Sequence, residues 1–168
     1  MIHAGIKFTQ NQIATSLEVS PAAVSKSLPI LKDNDYVKIG KDQNTKRLSI
    51  ILNRDNLRII DLKRIENLKL LVESGLIDYL RINLPGKQII LFGSYSRGED
   101  IERSDIDIAV MGKEKVISVE RFEKMLSRKI NFNFYNSMPT DKNLKNNLMS
   151  GIVLEGWNPV KNLLRQES

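Results

Sequence analysis

The chain has 168 residues, 41% of them apolar, enough to bury the core of one domain or of two small ones. Its 26 Lys and Arg outweigh 20 Asp and Glu to give a net charge of +6, a balance that suits an anionic partner such as nucleic acid. Cysteine is absent and His3 is the single histidine, which excludes disulfides, thiolate metal sites, cysteine nucleophiles and His-rich zinc sites. No apolar run approaches a membrane span and no charged-then-apolar signal segment occurs, so the expectation is a cytoplasmic protein without membrane contact.

The first predicted helix starts after Phe8. Thr9 is its N-cap, Gln12 completes a capping box, and Phe8 is placed to staple onto Ile13. Ile13, Ala14 and Leu17 form its apolar face. Glu18, Val19 and Ser20 make a tight turn. Ser20 caps a second helix with Pro21 at its first position, where the missing N–H costs nothing. Val24, Leu28 and Leu31 recur at i, i+4 and i+7 and face the core, which leaves Ala22, Ala23, Ser25 and Lys26 outside. Pro29 lies inside this helix, removes a hydrogen bond and is expected to bend it. Tyr36 to Ile39 alternates as a strand, Gly40 to Asn44 reads as a turn, and Lys46 to Leu52 reads as the returning strand. Helix, turn, helix and hairpin resemble the winged helix-turn-helix regulators of archaea and bacteria. That resemblance implies duplex DNA as partner. Ala22 and Ser25 would lie nearest the bases, with Lys26, Lys41, Lys46 and Arg47 at the phosphates. The module spans residues 1–54, although the chain before Phe8 is too short for the usual first helix.

Residues 55–75 are predicted as a connecting helix. Leu57, Ile60, Leu62, Ile65, Leu68, Leu71 and Val72 recur at helical spacing, and Gly75 is its stop signal. Its apolar surface is either the seam of a homodimer or plain packing within the chain.

Residues 76–168 read as a small mixed sheet with helices, an α/β (α+β) class. The predicted order is helix 76–83, strand 88–92, helix start 94–98, strand 105–111, helix 118–127, strand 129–135 and helix 140–149. An apolar segment follows at 152–154, and Val160, Leu163 and Leu164 suggest a last helix. The chemistry concentrates between Gly93 and Val110. Gly93 and Ser94 follow the apolar run Ile89 to Phe92, where glycine permits close backbone approach and helix-start amides bind phosphate. Asp105 and Asp107 stand i and i+2 on a strand, so both carboxylates leave the same face. Such a pair repels itself unless a cation lies between, and hard oxygen donors suit Mg²⁺ or Mn²⁺ with substrate phosphates.

Gly93-Ser94, then Gly98, then Ser104-Asp105-Ile106-Asp107 resembles the signature of the DNA polymerase β-type nucleotidyltransferases, in its minimal archaeal and bacterial form, over about Leu71 to Trp157. The resemblance implies transfer of a nucleoside monophosphate, AMP from ATP foremost, to an acceptor hydroxyl. In minimal members that acceptor is often a helical toxin protein modified on tyrosine. Asp105 and Asp107 would hold Mg²⁺ (or Mn²⁺), and Gly93 and Ser94 the β- and γ-phosphates. Arg97 would add charge, and Ser104 would cap the loop or contact the nucleotide. The family's third carboxylate falls on the strand Lys129 to Tyr135, at Asn131 or, second, Asn133. Neither is acidic, and an amide cannot serve as a base. Two readings stay open: a transferase with altered mechanism, or a DNA-binding regulator or antitoxin whose degenerate domain senses nucleotide.

Overall fold

The protein is described from a computed structural model, which covers residues 6–41 and 48–156. It divides into two compact units, residues 1–63 and 64–168.

The first unit opens with α1 (Gln10–Ser16) and α2 (Pro21–Asp33). Both caps form as the sequence predicts: Thr9 and Gln12 make the reciprocal capping box, and Ser20 Oγ accepts from Ala23 N. A hairpin of β1 (Val37–Lys41) and β2 (Leu48–Leu52) follows, antiparallel, with Val37 opposite Leu52 and Lys41 opposite Leu48. Two expectations need correcting here, the turn at Gly40 and Lys41 and the burial of Leu31. Gly40 and Lys41 belong to the strand rather than to a turn, because the ladder continues to Ser49 and Leu48. The Phe8 backbone exchanges two hydrogen bonds of 2.8 Å with Ile50, so the entry to α1 is tied to the hairpin. The α2 helix runs through Pro29 as one element. Leu31, expected in the core, is 37% exposed, and Leu17, on the apolar face predicted for the first helix, is 59% exposed. They line an apolar groove of about 260 Å³ between the helices and the hairpin, beside a small core that among the described residues comprises Ala14, Val24, Leu28 and Ile50. Ala22, Ser25, Lys26 and Lys41 are exposed; Lys46 and Arg47 lie outside the described residues.

A single helix, α3 (Leu57–Glu73), carries the boundary between the units. Leu57, Leu62, Ile65 and Val72 are exposed along it, the face on which the expected homodimer seam would lie. Gly75, at φ +74°, turns the chain directly into α4 (Leu76–Asn83).

The second unit then runs β3 (Gln88–Phe92), α5 (Gly93–Arg97), β4 (Ile106–Met111), α6 (Glu120–Leu126), β5 (Ile130–Tyr135), α7 (Lys142–Met149) and β6 (Ile152–Glu155). The apolar segment 152–154 is thus a strand. Sheet order is β5-β4-β3-β6; β4 and β5 are parallel and the other pairs antiparallel. Strand alternation sorts the side chains onto two faces. Ile89, Leu91, Ile106, Ile108, Val110 and Ile130 join Leu76, Leu80, Phe122 and Leu126 in the main core. Ile90, Phe92 and Ala109 pack with Leu148 of α7 on the opposite face. Asp107 and Asn131 share that second face by parity. The segment predicted as a helix through Leu163 and Leu164 lies outside the described residues.

Candidate active site

Strand register assembles the site. Asp107 is the second residue of β4, paired with Phe92 of β3 on one side and Asn131 of β5 on the other. Asp105 stands one residue before the strand and is exposed, while Asp107 is half-buried. Asn131 Nδ2 donates to Asp105 Oδ2 at 3.1 Å and to Asp107 Oδ1 at 3.3 Å. One amide therefore bridges both carboxylates. Asn133 pairs with Ala109, one step further along the face. No third acidic or histidine side chain completes a cluster with the aspartates among the described residues.

Gly93 closes the other side. Its φ is +75°, in the left-handed region, and a Cβ there would stand 2.6 Å from Asp107 Oδ2. Only glycine meets both conditions without strain, so the α5 turn and the carboxylate lie in direct contact. Ser94 and Arg97 are half-buried on α5. Gly98, at φ +72°, ends the helix, and Glu99 N donates to Ser94 O at 3.0 Å. Arg97 is not a free cation: its Nε donates to Glu99 Oε2 at 2.7 Å and its Nη1 to Asn147 Oδ1 of α7 at 3.3 Å. Ser104 caps its own loop, with Oγ accepting from Ile101 N at 2.9 Å. Burial, reinforced by the charge of Asp107, raises the Tyr135 phenol above its ordinary range.

The donor set fits a hard divalent cation. Two carboxylates on one face could supply oxygen ligands, the number that Mg²⁺ commonly takes from protein when substrate phosphates provide others.

The family model described as "Polymerase beta, Nucleotidyltransferase" matches residues 75–155. This segment is a polymerase β-type nucleotidyltransferase domain. Enzymes of this type use a nucleoside triphosphate and a divalent metal. The chain is 46% identical over 52 residues to the protein adenylyltransferase MntA of Shewanella oneidensis; that stretch is 30% of this chain and 37% of the relative. The chain thus spans well under half the length of this curated relative. Two solved structures are also similar, each with a TM-score of 0.41 and covering 56% of this chain and 82% of theirs. One, 28% identical, is a toxin–antitoxin crystal structure with AMP-PNP; the other, 26% identical, is a mutant of the toxin–antitoxin pair MntA–HpeT.

Sequence reasoning missed a buried network beside the site. Asp100 is wholly buried and accepts from Asn67 Nδ2 at 2.7 Å and from Arg128 Nη2 at 2.8 Å. Its partners lie 33 and 28 residues away, and no local pattern marks any of the three. Asn147 was missed for the same reason, since nothing in α7 shows that it faces Arg97.

Proposed function

We propose that the C-terminal unit transfers a nucleoside monophosphate, AMP from ATP, to a hydroxyl of a partner protein. One observation carries the reading: Asp105 and Asp107 converge beside the Gly93 turn within a segment that matches the nucleotidyltransferase family. ATP and a protein acceptor are favoured by the likeness to a protein adenylyltransferase. A small toxin-like protein modified on tyrosine is the finer form of that proposal.

Asp105 and Asp107 would hold Mg²⁺ or Mn²⁺, which supplies charge neutralisation and in-line alignment of the phosphates. Gly93 and Ser94 would take the β- and γ-phosphate oxygens through the amides of the α5 turn. Arg97 would reach the triphosphate on leaving Glu99. Asn131 must rotate its amide so that Oδ1, not Nδ2, faces the cation, because an N–H donor cannot ligate. It also cannot accept the acceptor's proton, so the hydroxyl must lose that proton to another base or to water.

That last point favours a second reading, in which the domain holds nucleotide without turnover and the chain acts as a regulator or antitoxin. The N-terminal unit would then bind duplex DNA, with Ala22 and Ser25 near the bases and Lys26 and Lys41 at phosphates. Purified protein, Mg²⁺ and labelled ATP separate the two. Release of pyrophosphate or labelling of a partner supports transfer; binding without release supports sensing. Loss of MgATP binding on Asp105→Asn with Asp107→Asn is expected under both, and unchanged affinity sinks the site itself.

A further inference from the structure

We propose that Arg128 is the positioning residue of this site: through Asp100 and the loop before β4 it sets where Asp105 stands relative to Gly93 and Asp107. The proposal rests on reading the aspartates as the metal–nucleotide site. Asp107 is fixed by the sheet, but Asp105 precedes the strand and is exposed. What holds it is the loop from Asp100 to Ser104. Arg128 Nη1 donates to the carbonyls of Ile101 and Ser104, both at 2.7 Å, while Nη2 donates to Asp100 Oδ2 at 2.8 Å. The guanidinium also lies 5.3 Å from the centroid of the Tyr95 ring on α5. Asn67 Nδ2 extends the network, donating to Asp100 Oδ1 at 2.7 Å and to Tyr95 O at 2.9 Å. The α5 turn that carries Gly93, the loop that carries Asp105 and the start of β5 that carries Asn131 are thus joined through one side chain. Next to Arg128, Lys129 O accepts from Ile106 N at 2.8 Å, which locks β5 to β4 at the same level.

The side-chain type matters. Arg128 is 13% exposed and Asp100 not at all. A planar guanidinium can serve the carboxylate and two carbonyls together; an ammonium is a point donor without the fork. Lysine would keep the charge and release part of the loop. A merely structural ion pair would lower stability without moving Asp105.

The Asn131 side-chain amide reports the difference, since it donates to both aspartates. The experiment compares ¹⁵N-labelled full-length wild type with Arg128→Lys, recording side-chain amide resonances and calorimetry with Mn²⁺ and ATP. The expected result is movement of the Asn131 amide toward the free-amide position while backbone amides of β3 and α7 keep their shifts. Mn²⁺–ATP affinity should fall about 10–100-fold, the range typical of residues that orient metal ligands. An unmoved Asn131 amide in folded Arg128→Lys overturns the proposal, even if the melting temperature falls. If the wild type binds no nucleotide, the transferase reading fails, and the amide resonance still decides the role of Arg128. Should Arg128→Lys not fold, Asn67→Ser removes one link to Asp100 and is read the same way.

Discussion

Replacing Asn131 by aspartate exchanges the bridging amide for a third carboxylate facing Asp105 and Asp107. The distances to be inherited are 3.1 and 3.3 Å. Asn131 and Asp105 are exposed, so a water-like dielectric applies, and each new repulsion is worth about 1.3 kcal/mol at low salt. Two broken hydrogen bonds add about 0.5–1.5 kcal/mol each, and partial protonation offsets some of the total. Metal-free Asn131→Asp should therefore be less stable than wild type by about 2–4 kcal/mol at pH 7. For a unit of this size that lowers the melting temperature by at least about 8 °C. The sign with pH follows from the raised pKa of the introduced carboxyl. Stability is retained below its unfolded value, about 3.9, and is lost as pH rises through the folded value. The repulsive part should thus be largely absent at pH 4 and full at pH 7, so the deficit is smaller at pH 4. Mn²⁺ should reverse it, because a cation binding the folded state stabilises in proportion to its affinity, which three carboxylates increase. The assay is thermal unfolding at two pH values, with and without Mn²⁺. An equal deficit at pH 4 and pH 7, unrelieved by Mn²⁺, would refute the placement of Asn131 between the aspartates.

Gly93→Ala forces a left-handed alanine and a Cβ only 2.6 Å from Asp107 Oδ2. It should cost about 1–3 kcal/mol and weaken Mn²⁺–ATP binding in the folded protein; calorimetry showing wild-type affinity would count against the close approach. Burial pushes the Tyr95 phenol up to about 12 from 10.0. The stability it protects is complete below pH 10 and lost as pH rises toward 12, so Tyr95→Phe should flatten the alkaline fall in melting temperature; parallel curves would contradict the shift. If the N-terminal unit binds duplex DNA, Lys26→Ala with Lys41→Ala should weaken every duplex alike. It should also flatten the salt slope by about one unit for each lysine–phosphate pair removed. Mobility-shift titrations at two salt concentrations test this, and absence of wild-type binding at low salt removes DNA from the reading.

Local chemistry was legible in the sequence wherever cause and effect lie within a few residues. The caps at Thr9 and Ser20 depend on residues three positions on, and the face taken by Asp107 depends only on strand pleat. The row joining Asp107 to Asn131 was half legible. Alternation put Asn131 on a face, but its choice over Asn133 as the neighbour of Asp107 is a matter of β4–β5 register, which only pairing reveals. Arg97 was legible as a cation but its partners were not, because side-chain charge says nothing of them; Glu99 and Asn147 hold it in this structure. Leu31 misled because helical spacing identifies an apolar face without saying whether anything covers it. Asp100 and Arg128 gave no signal, since a buried ion pair between distant residues looks in sequence like two ordinary surface charges.

The two aspartates are anchored by different kinds of force, and that has a consequence for how the site fails. Ile106, Ile108, Ala109 and Val110 around Asp107 are 0% exposed on a strand paired along both edges. Amides there should exchange with solvent only when the whole unit opens. Asp105 has no such protection and depends on side chains gripping a loop. Warming should therefore release Asp105 well before Asp107, leaving a folded protein with one carboxylate in place and the other adrift. If the pair holds metal and nucleotide as proposed, loss of that binding would precede loss of structure, and recovery on cooling would need only the loop to close again.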